Sequence, residues 1–195
     1  MEACLHYLAL VKYGISSWTL LGSELHLSKR TAQPRNRILR VLSPEEYQRL
    51  VPFSQRVSLA AGEVLFEAGD RIADCYFLDS GMASLLSTTE DGSTIEVGMA
   101  GYEGFVGTAL VLKMRRMPYR SMMQIPGQAT KIRVPSVLDL FDKNPRLRDL
   151  VLRYLHVVLT QVSQSALCNR FHTLEERLCR WLMIAGTSLV RMKSH

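Results

Sequence analysis

Cysteine is scarce in this chain of 195 residues: there are four, Cys4, Cys75, Cys168 and Cys179, and no two stand as a C-x-x-C pair. That pattern disfavours a disulfide scaffold and a zinc ribbon, and it fits a reducing, cytoplasmic setting. Twelve glycines and seven prolines are too few for a collagen-like or low-complexity chain. Apolar residues make up 47% and charged residues 22%, enough to build a sizeable core and too apolar for intrinsic disorder. The motifs G-x-S-x-G, G-x-x-x-x-G-K-S/T, H-E-x-x-H and G-x-G-x-x-G are all missing. The common hydrolase, nucleotide-hydrolysing, zinc-protease and dinucleotide-binding sites therefore have no footing in this sequence.

No long hydrophobic run occurs either. Residues 1–27 are apolar, but Lys12 and its polar neighbours interrupt them short of a membrane-spanning length. Glu2 is the wrong sign for the start of a secretory leader. We read residues 1–35 as an extension, attached through the basic segment Ser28–Arg37, with no membrane partner expected.

What the chain does have is charge in blocks. Residues 28–56 hold seven bases and two acids, residues 57–103 one base (Arg71) and nine acids, and residues 104–138 six bases and no acid. A chain divided in this way is not coated evenly for nucleic acid. The basic block is open to two readings, an anion-attracting face or an ordinary solvated one.

The middle of the chain is punctuated like a β protein. Between Val57 and Val134, short runs rich in Val, Leu, Ile, Phe and Tyr alternate with turn signals at Gly62, Gly69, Gly81, Gly92 and Gly101, spaced 7 to 12 residues apart. Asp91-Gly92, between Met82–Leu86 and Thr94–Val97, is a hairpin signal. About eight short strands are expected, which suits an antiparallel jelly roll. No histidine lies in this stretch, since the five are His6, His26, His156, His172 and His195. A metal-dependent jelly-roll enzyme would lack its usual imidazole donors there, so no enzyme is expected.

Helices flank the roll. Ser43-Pro44-Glu45-Glu46 carries a capping box with proline at the first helical position, and Pro52 keeps that helix short. After Pro135, Ser136–Phe141 should make a short turn of helix. Asn144-Pro145 then opens a long helix of about 22 residues, roughly 33 Å at 1.5 Å per residue. Its apolar residues Leu147, Leu150, Val151, Tyr154, Leu155, Val158, Leu159 and Val162 recur at helical spacing, with Val157 widening the stripe beyond one face. Such a helix needs two surfaces to bury against: its own β domain and a second copy of itself. Burial in one monomeric core is the plainer alternative. Thr173-Leu174-Glu175-Glu176 is another capping box and starts a further helix, expected to end near Gly186.

Two clusters carry candidate chemistry. Cys168, His172, Glu175 or Glu176, and Cys179 fall at helix-like offsets, yet the cap at Thr173 should break the helix among them, and buried small hydrophobes or surface residues are the plainer reading. Gly101–Thr108 is glycine-dense, and Arg120-Ser121 follows the next apolar run. Freed backbone amides, one guanidinium and one hydroxyl are the parts of a phosphate cradle, although glycines also mark tight bends in any roll.

Taken in order, these motifs resemble a known family. The stretch Val57–Asp70, then Cys75-Tyr76-Phe77-Leu78-Asp79-Ser80-Gly81, the hairpin, the Gly104–Gly107 turn, Arg120-Ser121 and the long helix resemble the sensor half of a Crp/Fnr-type bacterial transcription regulator. The similarity runs from about Asn36 to the last residues, and Gln161–Leu182 is similar to that family's hinge into its DNA-binding domain. The fold this implies is α+β: a cyclic-nucleotide-binding-like antiparallel jelly roll (a double-stranded β-helix) over 36–135, a short helix and a long dimerisation helix over 136–170, and the start of a truncated DNA-binding domain over 171–195.

The resemblance implies a ligand site at Gly107, Thr108, Arg120 and Ser121, and a homodimer seam through Val151, Tyr154, Leu155, Val158 and Val162. No cofactor is certain; a cyclic nucleotide or another small anionic ligand is the expected kind. The cassette of cyclic-AMP-binding members reads Gly-Glu-Leu and then Arg-Ser or Arg-Thr. Here Thr108 stands where the ribose-binding glutamate would be, and the span from Gly107 to Arg120 is a couple of residues longer. DNA would be read only through a helix-turn-helix, which needs on the order of 50 further residues; about ten follow Ala185. The expected function is small-ligand-responsive control of transcription by a non-enzymatic sensor and dimerisation module. The alternative is a ligand-free interaction module that forms dimers with other regulators.

Overall fold

The computed structural model describes residues 34–190. The expectations for residues 1–33 and for 191–195 lie outside the described residues.

Eight strands form two four-stranded antiparallel sheets: β1 (Ser54–Leu59), β2 (Val64–Phe66), β3 (Asp74–Leu78), β4 (Met82–Thr88), β5 (Thr94–Ala100), β6 (Phe105–Val106), β7 (Arg120–Ile125) and β8 (Gly127–Arg133). One sheet runs β1-β8-β3-β6 and the other β2-β7-β4-β5. Strands next to each other in sequence are thus repeatedly sent to opposite sheets, which makes a jelly roll. The helices are α1 (Pro44–Leu50), α2 (Val134–Lys143), α3 (Pro145–Phe171) and α4 (Leu174–Val190). Among the described residues, no helix is long and apolar enough to cross a membrane.

The local signals act through visible bonds. Asp91 accepts from Ser93 N at 3.1 Å and from the Thr89 hydroxyl, while Gly92 N donates to Thr89 O at 3.0 Å, closing the β4–β5 hairpin. The Thr89 hydroxyl and then the Ser93 donors hold the Asp91 carboxyl below its ordinary value. At α1, Ser43 Oγ accepts from Glu46 N at 3.2 Å and Glu46 Oε2 accepts from Ser43 N at 2.8 Å. The free Glu46 oxygen accepts from Asn144 Nδ2 at 2.7 Å, while Asn144 Oδ1 accepts from Leu147 N at 2.9 Å. The caps of α1 and α3, about a hundred residues apart in sequence, are therefore one bonded unit that fixes where the long helix leaves the roll.

The core lies between the sheets and continues under the first half of α3. Phe77 and Phe105 stack with centroids 4.8 Å apart, and the ring of Tyr154 on α3 lies 5.7 Å from that of Phe105. Gly104 must be glycine for this approach, because a Cβ there would fall 2.1 Å from Tyr154 Cζ. A buried polar network anchors the chain's entry: Asp79 accepts from Arg35 N, Asn36 N and Thr130 Oγ1, and Asn36 Nδ2 donates to Leu78 O and Gly104 O. Farther along, α3 follows β5, whose other side pairs with β4. Gln161 Oε1 accepts from Met99 N at 2.9 Å, so α3 answers a donor of that edge strand.

Three helix limits differ from the sequence expectation. The long helix has 27 residues rather than about 22, because hydrogen bonding carries it past its last stripe residue to the Thr173 cap signal. The helix before it spans Val134–Lys143 rather than Ser136–Phe141, Pro135 being tolerated in its first turn. The last helix continues through Gly186 to Val190. An interior glycine costs about 1 kcal/mol of helix propensity, and the burial of Ala185 beside it favours continuation.

Candidate ligand site

Gly107 follows β6 in the left-handed region, at φ 109°, where glycine carries no Cβ penalty. It starts the 3-10 turn Thr108–Leu112 and lies against Cys75 of β3. Burial pushes the Cys75 thiol up to about 12, which keeps it an unreactive apolar neighbour. Thr108 is buried, and its hydroxyl lies 3.0 Å from that of Tyr119. Burial also raises the Tyr119 phenol above its ordinary value. Through that bond the turn after Gly107 meets the residue before Arg120. The Thr108 hydroxyl is thus already engaged.

Arg120 and Ser121 open β7. Ser121 sits opposite Phe66 of β2 and Leu85 of β4, is fully buried, and its Oγ has no hydrogen-bond partner among the described residues. Arg120 is about a third exposed, and its Nε lies 3.4 Å from Glu67 Oε1, just beyond β2. A second pair of the same kind joins Lys131 of β8 to Asp74 of β3 at 3.2 Å. The hydrogen bond that it donates to Asp74 holds the Lys131 ammonium above its ordinary value. The acidic and basic blocks of the sequence thus meet across strand pairs. Part of the basic block is neither a free anion-attracting face nor simply solvated.

The expected dimer-seam residues divide. Val151 and Tyr154 are buried in the chain's own core, and the Tyr154 hydroxyl donates to Phe105 O at 3.5 Å. Helical phase explains this placement: these two share a face with Leu147 and Leu150, which is the face turned to the roll. Leu155, Val158 and Val162 are half-covered, Leu152 is 47% exposed and Leu159 is 64% exposed.

One feature escaped the sequence entirely. Between β4 and β5 the pairing shifts at Leu85 and Leu86, so that Glu96 stands opposite Leu86 and Val97 is left extra. Glu96 accepts a hydrogen bond from the Ser84 hydroxyl and faces Arg180 and Trp181 of α4. Desolvation raises the Glu96 carboxyl above its ordinary value, opposed by Ser84, Arg180 and Trp181. Around it a groove of about 320 Å³ runs between β5, the end of α3 and α4. Cys168 lines that groove; among the described residues, no three of His, Cys, Asp and Glu come together to hold a metal. α3 breaks at His172, as the Thr173 capping box implied, with Thr173 N donating to Glu176 Oε2 at 2.9 Å.

Residues 56–144 match the family model of the cyclic nucleotide-binding domain. The match takes in most of the roll, from β1 to the end of α2. The roll's fold is shared with solved bacterial regulators. The c-di-GMP-responsive global regulator CLP from Xanthomonas campestris is 19% identical with a TM-score of 0.60, over 72% of this chain and 71% of that one. The sensor domain of the transcriptional regulator DNR from Pseudomonas aeruginosa is 21% identical with a TM-score of 0.51, over 70% of this chain and 89% of that one. A transcriptional regulator from Thermotoga maritima is 20% identical with a TM-score of 0.51, over 65% and 98% respectively. Two further bacterial structures are matched over only 63% and 61% of their own length. Likeness at these identities shows a shared fold. No curated protein matches the chain.

Proposed function

We propose that this chain is the sensor and dimerisation part of a Crp/Fnr-like transcription regulator, a non-enzymatic module that responds to a small anionic ligand. The unit 36–135 would receive the ligand, 136–170 would pair two subunits, and 171–195 would lead toward a DNA-reading helix-turn-helix. The observation that carries this reading is the buried, unpartnered Ser121 hydroxyl beside Arg120 in a roll that matches the cyclic nucleotide-binding domain. A buried hydroxyl without a partner costs about 1–3 kcal/mol, and an oxyanion at Arg120 would supply the missing acceptor. With Thr108 engaged by Tyr119, no charged acceptor for a ribose hydroxyl is supplied at that position, so the ligand's anion rather than its sugar would provide the binding energy.

Ligand binding would act on α4 through sheet contacts. Ser121 pairs with Leu85, the next residue Ser84 donates to Glu96, and Glu96 meets Arg180 and Trp181 of α4. A ligand with differential contacts to two arrangements of β7 would bias α4 in proportion to that difference. Subunit pairing is assigned to Leu152, Leu155, Leu159, Val162 and Ala166, whose alternating spacing of three and four residues is that of a two-helix seam.

Calorimetric and thermal-shift titration with cyclic AMP, cyclic GMP and cyclic di-GMP tests the sensor reading. At least one should bind and raise the melting temperature of the wild type, and Arg120→Ala should abolish this while leaving the fold intact. Undiminished affinity in Arg120→Ala would defeat the assignment. The packed position of Thr108 favours one other reading, a ligand-free module that pairs with other regulators through α3. Absence of stabilisation by the whole panel, with pairing retained, would support it.

A further inference from the structure

The site proposed above is not open to an anion at no cost, because its one guanidinium already faces a carboxylate of the same chain. Glu67 lies just beyond the C-terminal end of β2, and Arg120 opens β7, the strand that β2 pairs with; Phe66 and Ser121 stand opposite one another. The pair measures 3.4 Å from Nε to Oε1, and its side chains are 35% and 56% exposed, so Glu67 can leave without disturbing the core. It does not satisfy the site fully: Arg120 Nε makes no hydrogen bond to it, and Ser121 Oγ is left without a partner. An acceptor with several oxygens on one centre could serve both groups at once, as a phosphoryl group does and a single distant carboxylate does not.

We propose that Glu67 is a built-in competitor for the ligand's anion, a residue that sets the affinity and selectivity of the Arg120–Ser121 site by neutralising it at rest. The proposal rests on the ligand-site assignment made under the proposed function. It names the ligand class as a phosphoryl-bearing anion, able to displace a carboxylate by bonding Arg120 and Ser121 together. Simple monocarboxylates offer nothing that Glu67 does not already supply, so they are excluded by competition.

The probe is inorganic phosphate, titrated at constant ionic strength against the wild type, Glu67→Gln, Glu67→Ala and Arg120→Ala, with affinity read from thermal stabilisation and calorimetry and acetate as the control. Exposed ion pairs are weak, so removing the competitor should tighten phosphate binding by about two- to fivefold in both Glu67 variants. Arg120→Ala should show no binding, and acetate should have no effect on the wild type. If Arg120→Ala loses binding while both Glu67 variants match the wild type or bind more weakly, the competitor role is overturned and the site assignment stands. If Arg120→Ala binds as well as the wild type, or phosphate stabilises none of the proteins, the site assignment fails and the competitor role with it.

Discussion

The two halves of α3 are built on different terms. In the first half, Leu147, Leu150, Val151 and Tyr154 are each less than a tenth exposed, and the N-terminus is tied through Asn144 to the cap of α1. In the second half, the large apolar residues Leu159, Leu167 and Phe171 are 64%, 53% and 73% exposed, and the bond from Met99 N to Gln161 is a polar strand-edge contact. The first half is therefore stabilised within one subunit, at about 25 cal/mol per Å² of apolar surface removed from water. The second half buries Cys168 but leaves its large apolar residues without that stabilisation. One continuous helix thus joins a face covered by the roll to an apolar face left exposed.

Substitutions can break or sharpen that contrast. Tyr154→Ala, in the covered half, removes a buried ring packed on Phe105 and over Gly104 and should cost about 3–5 kcal/mol in chemical denaturation. A loss below 1 kcal/mol would mean that the first half is not part of the core. Asn144→Ala removes both the α3 cap and the tie to Glu46 and should cost about 1–2 kcal/mol in the same assay; a neutral result would show that the two caps are independent of stability.

At Glu96, where α4 meets the sheet, the effect is smaller and pH-dependent. Its folded carboxyl titrates above the ordinary value, so within that window the folded state holds a proton that the unfolded state has released. Stability should fall as pH rises through the window, and Glu96→Gln should flatten that slope. An unchanged slope would move its origin elsewhere. Leu159→Glu, in the uncovered half, should change the stability of the isolated subunit least of all, within about 0.5 kcal/mol, as measured at low protein concentration. A large loss would place Leu159 in its own subunit's core.

The sequence disclosed these regions unequally, for physical reasons. Local signals were legible because their causes lie within a few residues: the Ser43–Glu46 box, the Asn144 cap, the Asp91-Gly92 hairpin and the break before Thr173 all act over three or four positions. The strand count and roll architecture followed from the rhythm of turn residues. Division of the α3 stripe was not legible, since periodicity shows that a face is apolar but not which surface covers it. Gly104 is fixed by a tyrosine fifty residues away, and Glu96 owes its direction to a register shift that leaves no mark in composition. At the candidate site, Arg120 and Ser121 stood out by resemblance, whereas Glu67 and Tyr119 are defined only by strand pairing and by the packing of the 3-10 turn.

The central claim is that the uncovered face of α3 receives a second copy of the chain, and sedimentation equilibrium over a wide concentration range tests it most directly. The account expects a particle of twice the 22.1 kDa chain mass for the wild type, and a single-chain particle for Leu159→Glu with an unchanged circular dichroism spectrum. A wild type that stays at 22.1 kDa at the highest concentrations reached would contradict it.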